Sequence, residues 1–77
     1  MNLEEYISVH PDVCHGKPCF KGTRIMVYLM LEMVEEGATT EEILQAYPDL
    51  TPDHIKAALH YAAKVLEVRE FYPAFLK

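Results

Sequence analysis

Seventy-seven residues suffice for one small domain, and a body of that size buries only a modest share of its unfolded surface, so a staple or a partner subunit is expected. Apolar residues make up 51% of the chain, with five Tyr and three Phe, which excludes a disordered polypeptide. Seven Lys and Arg against twelve Asp and Glu give a net charge of −5, which argues against avid nonspecific binding to nucleic acid.

In chain order, "MNLEEYISVH" carries acids but no apolar stretch of the leader type, so no secretory signal is expected. Residues 6–9 read as a short extended segment stopped by Pro11. "KPCFKGTRI" alternates briefly before Gly22 and Thr23 make a turn. Residues 6–25 are therefore expected to hold two short strands that pair with each other or across a subunit boundary. From Ile25 the pattern changes to "IMVYLMLEMVEEG", which predicts a helix over about 26–36 closed by Gly37 in the left-handed C′ position. Its first two turns are apolar all round, more than one small domain buries on a single face. The surplus, Ile25, Val27, Tyr28, Leu29 and Leu31, predicts a dimer interface. The longest unbroken apolar run, residues 25–31, is far too short to span a membrane, for which roughly 20 residues are needed. The chain is thus expected in the cytoplasm with its two cysteines reduced.

"ATTEEILQAYPDL" predicts a short helix over about 40–46. Thr39 and Glu42 stand in capping-box spacing, and Pro48 pushes Tyr47 out of helical geometry. Thr51 as N-cap and Pro52 at the first helical position start a third helix over about 52–69. Ile55, Ala58, Leu59, Ala62 and Leu66 are its expected core stripe. "FYPAFLK" follows as an apolar tail, residues 71–77. The outline is a mostly α, trihelical helix-turn-helix domain with a short N-terminal β element, covering 1–77 as one unit.

Charge is arranged in blocks. Residues 13–31 hold His15, Lys17, Lys21 and Arg24 with no acid, residues 32–53 hold seven acids with no base, and residues 54–66 are again basic. DNA binding would draw on Lys17, Lys21 and Arg24 as an arm, and on His54, Lys56, His60 and Lys64 of the third helix. The bland alternative is a solvated face. Asp53 stands where base edges would be met, and the preceding helix is acidic.

"CHGKPCFKGTRI" invites a catalytic or metal reading and supports neither. Cys14 and Cys19 with His10 and His15 lack a finger spacing, and no second cysteine pair follows, so no metal is expected. A Walker loop needs lysine after its second glycine, whereas Gly22 is followed by Thr23 and Arg24. Cys14 has only the adjacent His15 as a base. No enzyme, cofactor or small-molecule substrate is expected.

"HGKPCFKGTRIMV" followed by "EEGATTEEILQAYPDLTPDHIKAALHYAA" resembles the short bacterial and archaeal proteins grouped as domain of unknown function 433 (DUF433), regarded as antitoxin-like and similar to the VapB class. The resemblance runs from about Ile7 to Ala63, with "KGTRI" and "YPDLT" its specific segments. Met26 stands where that family usually has proline, Cys14 departs from an apolar position, and "FYPAFLK" lies outside the pattern. The resemblance implies a homeodomain-like or winged-helix-like trihelical unit, usually dimeric and often encoded beside a PIN-like ribonuclease toxin, with no catalytic residues. The expected function is an antitoxin-like homodimer that neutralises such a nuclease, with promoter DNA as a further ligand. Phe71, Tyr72, Phe75 and Leu76 would lie in a partner's groove, or fold back on their own dimer. The competing expectation is a non-catalytic interaction or assembly module with neither toxin nor DNA partner.

Overall fold

Ile7 and Phe20 sit directly opposite one another in an antiparallel pair, β1 (Ile7–Ser8) with β2 (Cys19–Phe20), within one chain. This settles the alternative left open by the sequence: the strands pair with each other. After β2 the chain turns through Gly22, whose φ of +77° suits the third position of a type II turn. The Phe20 carbonyl accepts from the Thr23 amide at 3.0 Å and from Thr23 Oγ1 at 2.7 Å. The returning segment lies on the other side of β2, with the Phe20 amide donating to the Ile25 carbonyl at 2.9 Å and the Val27 amide to Pro18 at 3.0 Å. Two short strands thus gain a third backbone neighbour that leads straight into a helix.

The computed structural model describes residues 1–68, and these form a mostly helical unit with three α-helices and the two-stranded antiparallel sheet. The helices are α1 (Val27–Glu35), α2 (Thr40–Ala46) and α3 (Pro52–Val68). The last stretch of the chain, residues 69–77, with the tail residues Phe71, Tyr72, Phe75 and Leu76, lies outside the described residues.

Each helix boundary has a local cause. Helix α1 ends in a Schellman motif: Gly37, at φ +89°, donates to Val34, and Ala38 donates to Met33, both at 3.0 Å. Helix α2 starts with the expected capping box, in which the Thr39 amide donates to Glu42 Oε1 at 2.9 Å and the Glu42 amide to Thr39 Oγ1 at 3.1 Å. The bond from the Thr39 backbone, followed by that from its side chain, holds the Glu42 carboxyl below its ordinary value. A carboxylate held down in the folded state contributes stability that is present above the unfolded value and is lost as pH falls through the folded one. Glu42→Gln keeps an acceptor but not a titrating one, so its stability is expected to fall less steeply on acidification through the carboxylate range. Urea midpoints measured across that range for both proteins check this.

Met26 precedes α1 with φ −73° and ψ 134°. Among the described residues its amide donates to no backbone carbonyl, whereas the next amide, that of Val27, does. Both properties admit proline. Met26→Pro is expected to fold, with stability within about 1 kcal/mol of the parent. Val27→Pro is expected to cost clearly more, because it removes the bond to Pro18. Thermal unfolding of the two variants gives the comparison.

The core lies where the sheet meets all three helices. Cys19, Phe20, Met30 and Ile43 are fully buried, joined by Ile7, Val27, Leu50, Ile55, Ala57 and Ala58. Ala57 and Ala58 let α3 approach closely. The expected stripe on α3 is therefore corrected: Ile55 and Ala58 are core, but Leu59 and Leu66 are 48% and 66% exposed. The reason is size, since a sheet and two short helices cover only the first half of a 17-residue helix.

Candidate partner-binding surface

Seven basic residues were candidates for nucleic acid, and the fold engages several of them. Lys17 places its Nζ 5.0 Å from the centre of the Tyr28 ring. Lys21 and Arg24 are exposed on and after the turn that follows β2. Lys64 is bound to Glu67, Nζ to Oε2 at 3.1 Å. At 100° per residue, Asp53, Lys56, His60, Lys64 and Glu67 share about 80° of the α3 surface. All five are exposed, so two acids balance two lysines there.

His54 is not a free surface group. Its ring stands edge-on to Tyr6 and Phe20, at 5.2 and 5.7 Å between centres, and its Nδ1 accepts from the Thr51 amide at 3.0 Å. Thr51 Oγ1 lies 2.9 Å from the same nitrogen. His54 thus occupies the place of Glu42 in α2, three residues after the N-cap. The fold gives His54 a structural role in place of a free cationic one at the α3 surface. The signal was present in "TPDH", whose spacing repeats that of "TTEE".

The expected dimer residues also divide. Val27 is buried in its own chain at 2% exposure, and Ile25 packs partly against the core. Tyr28 and Leu29 are exposed, but they lie 100° apart on α1 and face different sides. Tyr28 and Leu31 face α3. There, with Pro18, Val27, Tyr61, Ala62, Val65 and Leu66, they line an open groove of about 440 Å³ whose one charged lining group among the described residues is Lys17. Tyr61 and Val65 were not singled out by sequence, although their i, i+4 spacing pairs with that of Ala62 and Leu66 to form one face.

The glycine-cysteine segment is scaffold. Cys14, His15 and Gly16 have successive φ values of 51°, 56° and 77°, a left-handed turn closed by bonds from Gly16 to Val13 and from Lys17 to Cys14. Both cysteines are buried and free. Cys14 Sγ donates to the Arg24 carbonyl at 3.4 Å. Burial pushes the Cys14 thiol up, the neighbouring Cys19 pushes the same way, and Arg24 opposes them. A thiol so placed is a poor nucleophile. No group of three or more His, Cys, Asp or Glu side chains that could hold a metal occurs among the described residues. No helix among them is long and apolar enough to cross a membrane.

The family model described as "Protein of unknown function (DUF433)" matches residues 7–62. The chain belongs to the DUF433 family. Its match begins at β1 and ends in α3, so it includes the α2 capping box, the turn at Gly22 and the groove as far as Ala62. The DUF433 chain is 36% identical over 58 residues to the "Uncharacterized protein y4eO" of Sinorhizobium fredii, a match covering 75% of this chain and 26% of that protein. It is also similar to the crystal structure of a DUF433 member from Anabaena variabilis, with 35% identity and a TM-score of 0.76. That alignment covers 84% of this chain and 64% of the solved one. The DUF433 chain thus spans about a quarter of one relative and less than two thirds of the other.

Proposed function

We propose that this DUF433 chain is an antitoxin-like, non-catalytic cytoplasmic protein that dimerises and neutralises a PIN-like nuclease, with promoter DNA as a further ligand. The observation that carries the reading is the apolar groove between α1 and α3, bordered by exposed Tyr28, Val65 and Leu66. Apolar surface left open on so small a body is a binding surface in waiting. The groove is shaped for an apolar strand or helix of a protein, not for a polar metabolite.

In this reading α2, the connection through residues 47–51 and α3 form the helix-turn-helix. The mixed charge of α3 leaves Lys21 and Arg24, with Lys56 and His60, as its available phosphate contacts. The same mixed charge favours the second reading, a dimeric interaction module without DNA. Co-expression with the product of the adjacent gene, followed by mass determination of the eluted complex, tests the first reading. A nuclease held in fixed stoichiometry, and lost from a Tyr28→Lys, Val65→Asp double variant, supports it. Salt-dependent promoter binding that weakens in a Lys21→Ala, Arg24→Ala double variant supports the DNA component. A chain that retains no nuclease and binds no promoter leaves the interaction module.

A further inference from the structure

We propose that Cys14 and Cys19 form a redox-responsive pair: a small-molecule disulfide of the glutathione type enters at Cys14, and Cys19 then closes an intrachain disulfide that ties the left-handed turn to β2. The proposal rests on neither the nuclease nor the DNA reading.

Four residues separate the cysteines, and the backbone between them folds back. Cys14, His15 and Gly16 are all left-handed, and the turn is closed by the Gly16 and Lys17 amides. Pro18 leads into β2, where Cys19 lies between Ser8 of β1 and Met26 of the returning segment. The two thiols thereby stand close enough to share a hydrogen bond. Each has one further polar neighbour: the Arg24 carbonyl for Cys14, at 3.4 Å, and Ser8 Oγ for Cys19, at 3.7 Å. Thiols already in contact need only side-chain rotation to reach the ~2.05 Å of an S–S bond.

Access divides the roles. Cys14 is 9% exposed and lines an open, polar cavity of about 290 Å³ with Asp12, His15, Arg24 and Met26, whereas Cys19 is 0% exposed. Cys14 is thus the thiol that an outside reagent meets, and Cys19 the one that follows. The Cys14 thiolate attacks one sulfur of the reagent, forming a mixed disulfide and releasing one small thiolate. The Cys19 thiolate then attacks the Cys14 sulfur and releases the second. The two thiol protons end on the released thiols, and the reagent takes up the two electrons that the cysteines lose. Closure removes the Cys14 donor from the Arg24 carbonyl, so the state of the pair acts on the segment that carries Arg24. Burial favours the uncharged Cys14 thiol, so exchange is slow at neutral pH and quickens as the thiolate fraction rises.

The test equilibrates the full chain in glutathione buffers of graded ratio, quenches with acid and reads the intact mass. An intrachain disulfide, about 2 Da lighter than the dithiol, is expected. Cys19→Ser is expected to stop at the mixed disulfide on Cys14, and Cys14→Ser to stay unmodified while folded. The deciding comparison is with the same chain in strong urea. The equilibrium constant for closure is expected to be about tenfold larger or more in the folded chain, and the disulfide form to melt above the dithiol. A constant equal to or smaller than that in urea overturns the proposal, because the fold then holds the sulfurs apart. So does a folded chain that stops at the mixed disulfide or links to a second copy. The urea comparison uses the unsubstituted chain, so it decides the matter even where a serine variant fails to fold.

Discussion

Phe20→Ala is expected to remove a large fraction of the folding free energy of this chain, and to unfold it if the parent's stability lies at the low end for its size. Phe20 is fully buried where the β element, its returning segment and α3 meet. Its backbone bonds to Ile25 and Thr23, its cross-strand partner is Ile7, and its ring meets His54 edge-on. Deleting a buried phenyl ring costs about 3–5 kcal/mol, the lost transfer energy plus the cavity left behind. A domain of this size holds about 4–12 kcal/mol in total, at ~0.05–0.15 kcal/mol per residue. A single side chain therefore carries a large fraction of the margin. Urea unfolding followed by far-ultraviolet circular dichroism measures the loss, and Phe20→Leu, which keeps most of the buried area, should recover part of it. A loss below about 1 kcal/mol would mean that the site collapses around the gap, contrary to the close packing expected of a core.

His54→Ala is expected to cost about 2 kcal/mol, from two edge-on aromatic contacts worth about 0.5–1.5 kcal/mol each and the lost satisfaction of the α3 N-terminus. The contacts in question are to Tyr6 and Phe20, and the bond is the one from the Thr51 amide. In a domain this small, such a loss lowers the melting temperature by about 8–16 °C. His54→Glu separates the two contributions: it restores an acceptor at the third helical position, as Glu42 provides in α2, but no ring. It should recover the capping share alone. If His54→Ala instead left the melting temperature unchanged and weakened promoter binding, His54 would be a DNA contact, as its sequence position first suggested.

The two histidine readings show where sequence reasoning runs out. "TTEE" announces a capping box because Thr and Glu are common in that role, and the structure has it as expected. "TPDH" holds the same spacing, but histidine at the third position reads as a cation until two aromatic rings are found against it. Those rings come from Tyr6 and Phe20, distant in sequence, and nothing local to α3 announces them. Likewise "IMVYLML" says that α1 is apolar all round, yet not which side chains the rest of the chain covers. Val27 and Met30 turn inward, Tyr28 and Leu31 face α3, and Leu29 faces away.

The sequence by itself determined the local grammar of this protein: a turn at Gly22, helix stops at Gly37 and Pro48, starts at Thr39 and Thr51, and membership of the family through residues 7–62. These are short-range matters, set by backbone dihedrals, capping groups and the missing amide of proline. Only the tertiary structure decided which faces remain open. A helix has several apolar sides in its sequence, but burial depends on what lies opposite. Here the sheet and the shorter helices run out before α3 does, leaving Val65 and Leu66 exposed beside Tyr28. The groove is a product of that mismatch in length, a property of three packed elements and not of any one of them.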